Sequence, residues 1–188
     1  MPHAVWQFLG PGSGYAFAEA RRGLSDEQEN AVYFGERLAE PLPDVTIGPL
    51  SEGRIGHVIG TSFSAFVVSP AVRALLDPVA PVQFVAVRLP RRPGSGHGPG
   101  YAIMNLLARV PCLDTERSDY DRMPGHPDRL LGLRRLVLRE IPADAPAVFH
   151  VAELPGAILV RADLRARLEA LDGAGEFVAV EDFTWGLA

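Results

Sequence analysis

Two segments of the chain share one order of elements, and this internal repeat limits the fold more than any other feature. VSPAVRALLDPVAPVQFVAV (68–87) aligns with VRADLRARLEALDGAGEFVAV (160–180) after insertion of one residue, with eight identical pairs. Each copy reads as a strand, a turn, a two-turn helix with an apolar stripe, a loop and a strand ending in FVAV. A short helix of this kind must bury its stripe on a sheet. We therefore predict two β-α-β units, at about 65–88 and 157–180.

Local signals mark where the helices begin. Ser69 followed by Pro70 is typical of an N-cap and a first helical position. Arg161 stands at the corresponding place in the second copy, which leaves that helix without a capping residue. Ser25 is expected to cap a further helix whose first turn holds Asp26, Glu27 and Glu29, since acidic residues suit the positive end of the helix dipole.

The rest of the chain alternates between apolar runs and turn-rich segments. Strands are expected in AVWQF (4–8), YAFA (15–18), YAIMNLLARV (101–110), LRRLVLREI (133–141), AVFHVAEL (147–154) and AILV (157–160). The length of YAIMNLLARV also permits a helix. The segment 114–128 reads as a polar connection without regular structure. We predict an α+β fold with a mixed, mostly antiparallel twisted sheet and a few short helices. The length of 188 residues fits a single domain over 1–188.

The inventory of catalytic residue types is thin. All 18 basic residues are arginine, which excludes a lysine Schiff base and a P-loop lysine. Cys112 is the only cysteine, so a disulfide within the chain is impossible, and a small buried residue is the simplest interpretation. No two of the five histidines are spaced for a helical metal site. We expect no catalytic residues, no metal and no cofactor.

Charge and hydropathy restrict the location and the partners. The net charge of −5 argues against nucleic acid as a partner. No apolar run approaches about 18 residues, and the N-terminus lacks a basic region before its apolar residues, so neither a membrane span nor a secretory signal is expected. The expected location is the cytoplasm, with no membrane partner.

The densest polar cluster, DTERSDYD (114–121), has two interpretations. Asp114 and Ser118 can bond neighbouring backbone groups and hold a turn, which is a structural role. Alternatively, the loops at 94–128 could form the pocket of a small enzyme or ligand-binding domain that gathers His97, Asp114, Ser118 and His126.

The order of these features resembles one bacterial family, the immunity proteins numbered eleven in the polymorphic-toxin classification, formerly a domain of unknown function. The resemblance covers most of the chain and includes AVWQF, PLPD (41–44), FVVSPAVRALLD, PVQFVAV, LVLREIP and LRARLEALDGAGEFVAV. Its most specific part combines Tyr101, Asn105, Cys112-Leu113-Asp114 and Ser118. Arg161 departs from the pattern, where the family usually has Ser.

The resemblance implies a non-enzymatic antidote, whose partner is a cognate toxin encoded by a neighbouring gene. An acidic protein of this kind would dock on a basic toxin surface, with charge steering and aromatic anchors. The candidate contact residues are Asp26, Glu27, Glu29, Glu181, Asp182 and Trp185. Another possibility is an adaptor or scaffold in a toxin-delivery system that pairs through sheet edges.

Overall fold

The structure, a computed structural model, describes residues 3–90, 100–123 and 126–186, with the backbone alone at 123, 126–129 and 131. The helices within this part are α1 (Asp26–Tyr33), α2 (Pro70–Leu76) and α3 (Ala162–Glu169). The strands are β1 (His3–Gln7), β2 (Phe17–Ala18), β3 (Arg21–Arg22), β4 (Val45–Ile47), β5 (Val58–Thr61), β6 (Phe66–Val68), β7 (Val82–Arg88), β8 (Ala102–Leu106), β9 (Arg109–Val110), β10 (Asp119–Met123), β11 (His126–Arg135), β12 (Val148–Val151), β13 (Leu154–Arg161) and β14 (Glu176–Ala179).

These strands form two sheets and a hairpin. One sheet has the order β14-β1-β13-β12-β9, the other has the order β2-β5-β6-β8-β7-β4-β3, and β10 pairs with β11 alone. Most neighbouring strands are antiparallel; the parallel pairs are β9 with β12, β2 with β5, and β4 with β7. The α+β class with a mostly antiparallel sheet is confirmed.

Both repeat copies form split β-α-β units. β6 and β7 run parallel on either side of β8, with α2 connecting them, and β13 and β14 flank β1 in the same way, with α3 connecting them. The registers also agree: Ile103 lies opposite Val67 and Val85, and Val5 lies opposite Leu159 and Val178. This is the pairing that the sequence alignment of the two copies requires. The helices α2 and α3 pack against each other.

An equivalent ring contact supports each unit. The guanidinium of Arg73 lies 4.8 Å from the ring centroid of Phe84, and that of Arg165 lies 5.9 Å from the ring of Phe177. These residues occupy matching positions in the two copies. Each helix therefore places one arginine over the aromatic ring of the strand that follows it.

Two cores lie on opposite faces of the seven-stranded sheet. The larger is shared with the five-stranded sheet, α2, α3 and the β10–β11 hairpin. The smaller lies under α1 and includes Val32, Leu38, Ile47 and Ile103. Gln83 fixes this second layer, because its amide accepts from the Leu38 N–H at 2.9 Å and donates to the Leu38 carbonyl at 3.0 Å.

The segment 114–135 differs from the expectation of a polar connection. β10 and β11 form a bulged hairpin, and β11 ends at Arg135, so the expected strand at 133–141 is shifted toward the N-terminus. Arg134 pairs with Asp119 at 2.7 Å and with Asp121 at 2.6 Å across the hairpin. Cross-strand ion pairs hold two polar strands together here, where apolar alternation is weak.

The two N-terminal strands do not pair with each other. β1 and β2 belong to different sheets, so the GPGSG loop between them crosses from one sheet to the other. YAIMNLLARV is divided into β8 and β9, which likewise contribute to different sheets. The chain therefore passes between the two sheets at these two places.

The two repeat helices begin differently, and this difference yields a prediction. The Ser69 hydroxyl accepts from the Val72 N–H at 3.4 Å, and Ser69 is 3% exposed. Arg161 makes no side-chain cap and instead pairs with Asp163 at 2.7 Å. Ser69→Ala should lower the free energy of unfolding by about 1–2 kcal/mol. Arg161→Ala should lower it by less than about 1 kcal/mol, because exposed ion pairs contribute little.

Urea unfolding of both variants, followed by circular dichroism, measures this difference. Equal losses at the two positions would show that the buried cap is not what distinguishes the helices.

Candidate functional site

A groove of about 260 Å³ lies where the two repeat units meet. Cross-strand neighbours Trp6, Ile158 and His150 form one wall, and Phe66 with its neighbour Met104 forms the other. Phe66 precedes the first repeat copy by the same two residues as Ile158 precedes the second, and the sheet registers place Met104 and Trp6 opposite them on the two central strands. The groove thus separates two equivalent rows of side chains, one from each unit.

Aromatic rings dominate this groove, which we call the aromatic groove; its rings are Trp6, Phe8, Tyr33, Phe66 and Trp185. The rings of Trp6 and Phe66 meet edge to face at 4.9 Å, and Phe8 and Phe66 do so at 5.4 Å. Such geometry suits the ring quadrupoles. The aromatic walls are therefore held in place by one another before any partner arrives.

The end of α1 forms one border of the groove because the chain turns sharply after it. Gly35 has a φ of +65°, and a Cβ there would lie 2.5 Å from the Leu106 carbonyl oxygen. Only glycine permits both the left-handed conformation and the close approach to β8. The turn brings Val32 and Tyr33 to the groove.

His150 lies at the base of the groove and is only 5% exposed. Its Nδ1–H donates to the Pro155 carbonyl at 2.6 Å, since a carbonyl can only accept. The pKa of His150 is lowered to about 4, mainly by burial and also by the nearby Arg109 charge. Hydrogen bonds to the Pro155 and Leu106 carbonyls partly oppose this shift. His150 is therefore a neutral, fixed part of the wall at pH 7.

The acidic residues predicted on α1 have different surroundings. The Ser25 cap is a full capping box with Gln28. Arg21 forms ion pairs with Asp26, at 3.2 Å, and with Glu29. Glu27 is exposed, and no ion pair or hydrogen bond of its side chain is found among the described residues. One guanidinium thus pairs with two of the three acidic side chains predicted to face a partner.

The predicted C-terminal residues also divide into two groups. Glu181 and Asp182 are exposed on a 3₁₀ turn (Val180–Asp182), and within the described chain neither side chain has a polar partner. Trp185 is half-buried at the groove and exchanges two backbone hydrogen bonds with Leu133, at 2.7 and 3.0 Å. The tail therefore connects the β10–β11 hairpin to the groove.

Of the predicted contact residues, the structure places Trp185 at the groove, close to Tyr33 at the end of α1, whereas the predicted acidic residues do not line the groove. A Cβ at Gly156 would lie 3.4 Å from the Tyr33 hydroxyl and 3.6 Å from Trp185 Nε1. Tyr33 ends the helix that carries Asp26, Glu27 and Glu29, and Trp185 follows Glu181 and Asp182. Four of the residues that line the groove are not predicted from the sequence: Trp6, Phe8, Tyr33 and His150. Only the two aromatic residues in AVWQF could have indicated an aromatic site.

The polar cluster at 114–121 makes backbone contacts. Asp114 Oδ1 accepts from the N–H groups of Glu116 and Arg117, each at 3.1 Å. The Ser118 hydroxyl donates to the Val137 carbonyl at 3.1 Å and accepts from the Val137 N–H at 3.0 Å. Both side chains are engaged in holding the turn next to the hairpin.

The alternative pocket at 94–128 is described only in part. His97 lies outside the described residues, and so does the side chain of His126. Asp114 borders a cavity of about 330 Å³ with Thr115, Glu116 and Arg139, and Ser118 is not among the residues that line it. The described portion therefore does not gather Asp114 and Ser118 around one cavity.

Other candidates for chemistry are also engaged in the fold. Cys112 is fully buried, as predicted, and burial together with the charge of Glu153 raises its pKa to about 11. Ser62 donates to the Glu19 carbonyl at 2.7 Å. Among the described residues, no group of three or more His, Cys, Asp or Glu side chains is placed to hold a metal. None of the described helices has the length and hydropathy that crossing a membrane requires.

The depressed pKa of His150 predicts how stability depends on pH. The folded value of about 4 lies below the ordinary 6.5, so the unfolded chain binds the proton more readily between these values. The contribution is complete above pH 6.5 and is lost as the pH falls toward 4, by about 3 kcal/mol. His150→Asn keeps a donor for Pro155 but does not titrate. This variant should lose less stability than wild type between pH 6.5 and 4.5.

Chemical unfolding at several pH values measures this loss, and the wild-type protein is the control for all other titrating groups. Parallel curves for wild type and variant would rule out His150 as the source of the pH dependence.

Comparison with known proteins agrees with the family resemblance in the sequence. No curated protein matches the chain. The family model of the Immunity protein family (Imm11) matches residues 11–183 of the 188. Since this match covers nearly the whole length, the chain belongs to the immunity protein family Imm11.

Proposed function

We propose that this protein is an antidote that binds a cognate bacterial toxin directly and neutralises it. The observation that carries the proposal is the Imm11 match over residues 11–183, because it covers the three helices and every strand except β1. The family implies a toxin as the partner and is generally non-enzymatic. We further propose that residues 1–188 act as one domain and that the toxin is the product of a neighbouring gene.

The chemistry of the described surface supports binding by contact. Stable protein interfaces concentrate their energy in a few aromatic or arginine anchors, and complementary charge raises the rate of encounter. The aromatic groove offers the first feature. The unpaired carboxylates of Glu27, Glu181 and Asp182 offer the second, in a chain of net charge −5. Asp26, Glu29 and Trp185 complete the proposed contact set, with Asp26 and Glu29 also bound to Arg21.

The proposal includes a location and a mode of action. We propose that neutralisation takes place in the cytoplasm and that no turnover is involved. Several side chains of catalytic type are engaged in structural contacts: Asp114 and Ser118 hold the turn, Ser62 donates to a carbonyl, and Cys112 is buried. Direct occlusion of the toxin requires none of them as a reacting group.

Co-expression with the neighbouring toxin gene tests this function. Cells that produce the toxin alone should die, and cells that also produce this protein should survive. Size-exclusion chromatography with light scattering should show a stable one-to-one complex. The matched control is an equal amount of an unrelated immunity protein, which should not protect.

Equal killing with and without this protein would refute the antidote function. Protection without a complex would refute direct binding, and protection accompanied by chemical change of the toxin would refute the non-catalytic mechanism.

A further inference from the structure

We propose that the aromatic groove is the place where the toxin docks, and that it receives an apolar or aromatic side chain from an arginine- or lysine-bearing segment of the toxin. This inference rests on the proposed function, since it assumes that the partner is a directly bound toxin. It adds the binding site and the chemistry of the segment that occupies it.

The lining of the groove selects an apolar anchor. No described residue that lines it is Asp, Glu or Arg, and His150 at its base is already bound to the Pro155 carbonyl. A cation inserted there would lose its hydration without gaining an anionic partner, which is costly. An apolar ring or aliphatic chain would instead pack on the half-buried rings of Phe8, Tyr33 and Trp185. Anchors of this kind in preformed pockets carry most of the energy at protein interfaces.

The border of the groove offers polar contacts to the backbone of such a segment. The Tyr33 hydroxyl and Trp185 Nε1 both lie close to the space above Gly156, and neither has a hydrogen-bond partner among the described residues. An indole N–H only donates, and a phenol can donate as well. Two donors at this border suit the carbonyl oxygens of an extended toxin segment.

Carboxylates on the elements that border the groove favour basic residues in the toxin segment. Glu181 and Asp182 precede Trp185 by four and three residues, and within the described chain they have no polar partner. Glu27 lies in the first turn of α1, the helix that ends at Tyr33, and is equally unpaired. Unpaired carboxylates on these two elements would attract cationic residues of the toxin segment that carries the anchor.

Gly156 allows the groove to be filled without removal of any existing contact. It is exposed, lies in β13, has no positive φ, and an added Cβ would make only ordinary contacts. A β-branched residue is well suited to a strand. Gly156→Val should therefore fold normally while its methyl groups occupy the space between Tyr33 and Trp185. Gly156→Ala is the matched control with the smallest added volume.

Binding of the purified neighbouring toxin, measured by calorimetry, tests the groove. Gly156→Val should weaken binding by at least about tenfold with an unchanged melting temperature, and Trp185→Ala should weaken it similarly. Gly156→Ala should stay closer to wild type. The Trp185 backbone bonds to Leu133 remain available in the alanine variant, so a binding loss without a melting shift isolates the ring.

The charge of the flank is tested by reversal. The double variant Glu181→Arg, Asp182→Arg should slow association by roughly tenfold at low salt, with little effect at high salt. Glu140→Arg is the control: Glu140 is exposed and does not line the groove. Replacement of Tyr33 by p-benzoylphenylalanine should cross-link to a toxin peptide that contains an apolar residue beside arginine or lysine.

The outcomes separate the groove from the function. If wild type neither binds nor protects, the antidote function itself fails. If wild type binds and protects while Gly156→Val and Trp185→Ala bind as tightly, the groove is not the docking site, although the antidote function stands. A cross-linked peptide of acidic composition would refute the proposal that the toxin segment is basic. Dimerisation of the isolated protein that Gly156→Val abolishes would assign the groove to a second copy of this chain instead.

Discussion

Trp6 is the residue through which the two halves of the molecule depend on each other. It is 1% exposed, lies on the central strand of one repeat unit, and meets Phe66 of the other unit edge to face. On its own side it stacks on Phe177 at 6.0 Å and donates from Nε1 to the Ala174 carbonyl at 2.7 Å. One side chain therefore links both sheets and the loop after α3. The groove lies beside Trp6, where equivalent side chains of the two repeat units face each other.

The repeat explains why much of the fold could be predicted from the sequence. The two units have the same packing at matching positions, such as Phe84 and Phe177 or Arg73 and Arg165. The same sequence pattern therefore occurs in both copies. Caps at Ser25 and Ser69 could be predicted because they depend on local backbone groups. The central strand could not be assigned this way. It follows the first unit as β8 and precedes the second as β1, so linear alignment of the copies does not include it.

The groove and the hairpin are harder to predict from the sequence because the contacts that form them join residues far apart in the chain. Phe66, Trp6 and Tyr33 come from separate segments, and only the sheet registers and the turn at Gly35 bring them together. The hairpin of β10 and β11 is polar on its exposed side, so apolar alternation gives a weak indication of it. Arg134 bridges Asp119 and Asp121 across it, and the Leu133 backbone pairs with that of Trp185. Sequence patterns do not predict contacts of this kind, because the residues that make them become neighbours only in the folded protein.

The absence of lysine determines how charge is distributed over the described surface. A guanidinium is planar and offers several donors, so one arginine can hold two carboxylates, as Arg134 and Arg21 do. The Arg134 hydrogen bonds lower the pKa of both Asp119 and Asp121, which favours the ionised form of each carboxyl group. Because arginines are engaged in this way, the negative charge that remains without a partner lies on residues such as Glu27, Glu181 and Asp182. Glu27 shares its helix with Tyr33, and Glu181 and Asp182 precede Trp185, so the elements that contribute these two rings to the aromatic groove also carry carboxylates that a basic partner would use.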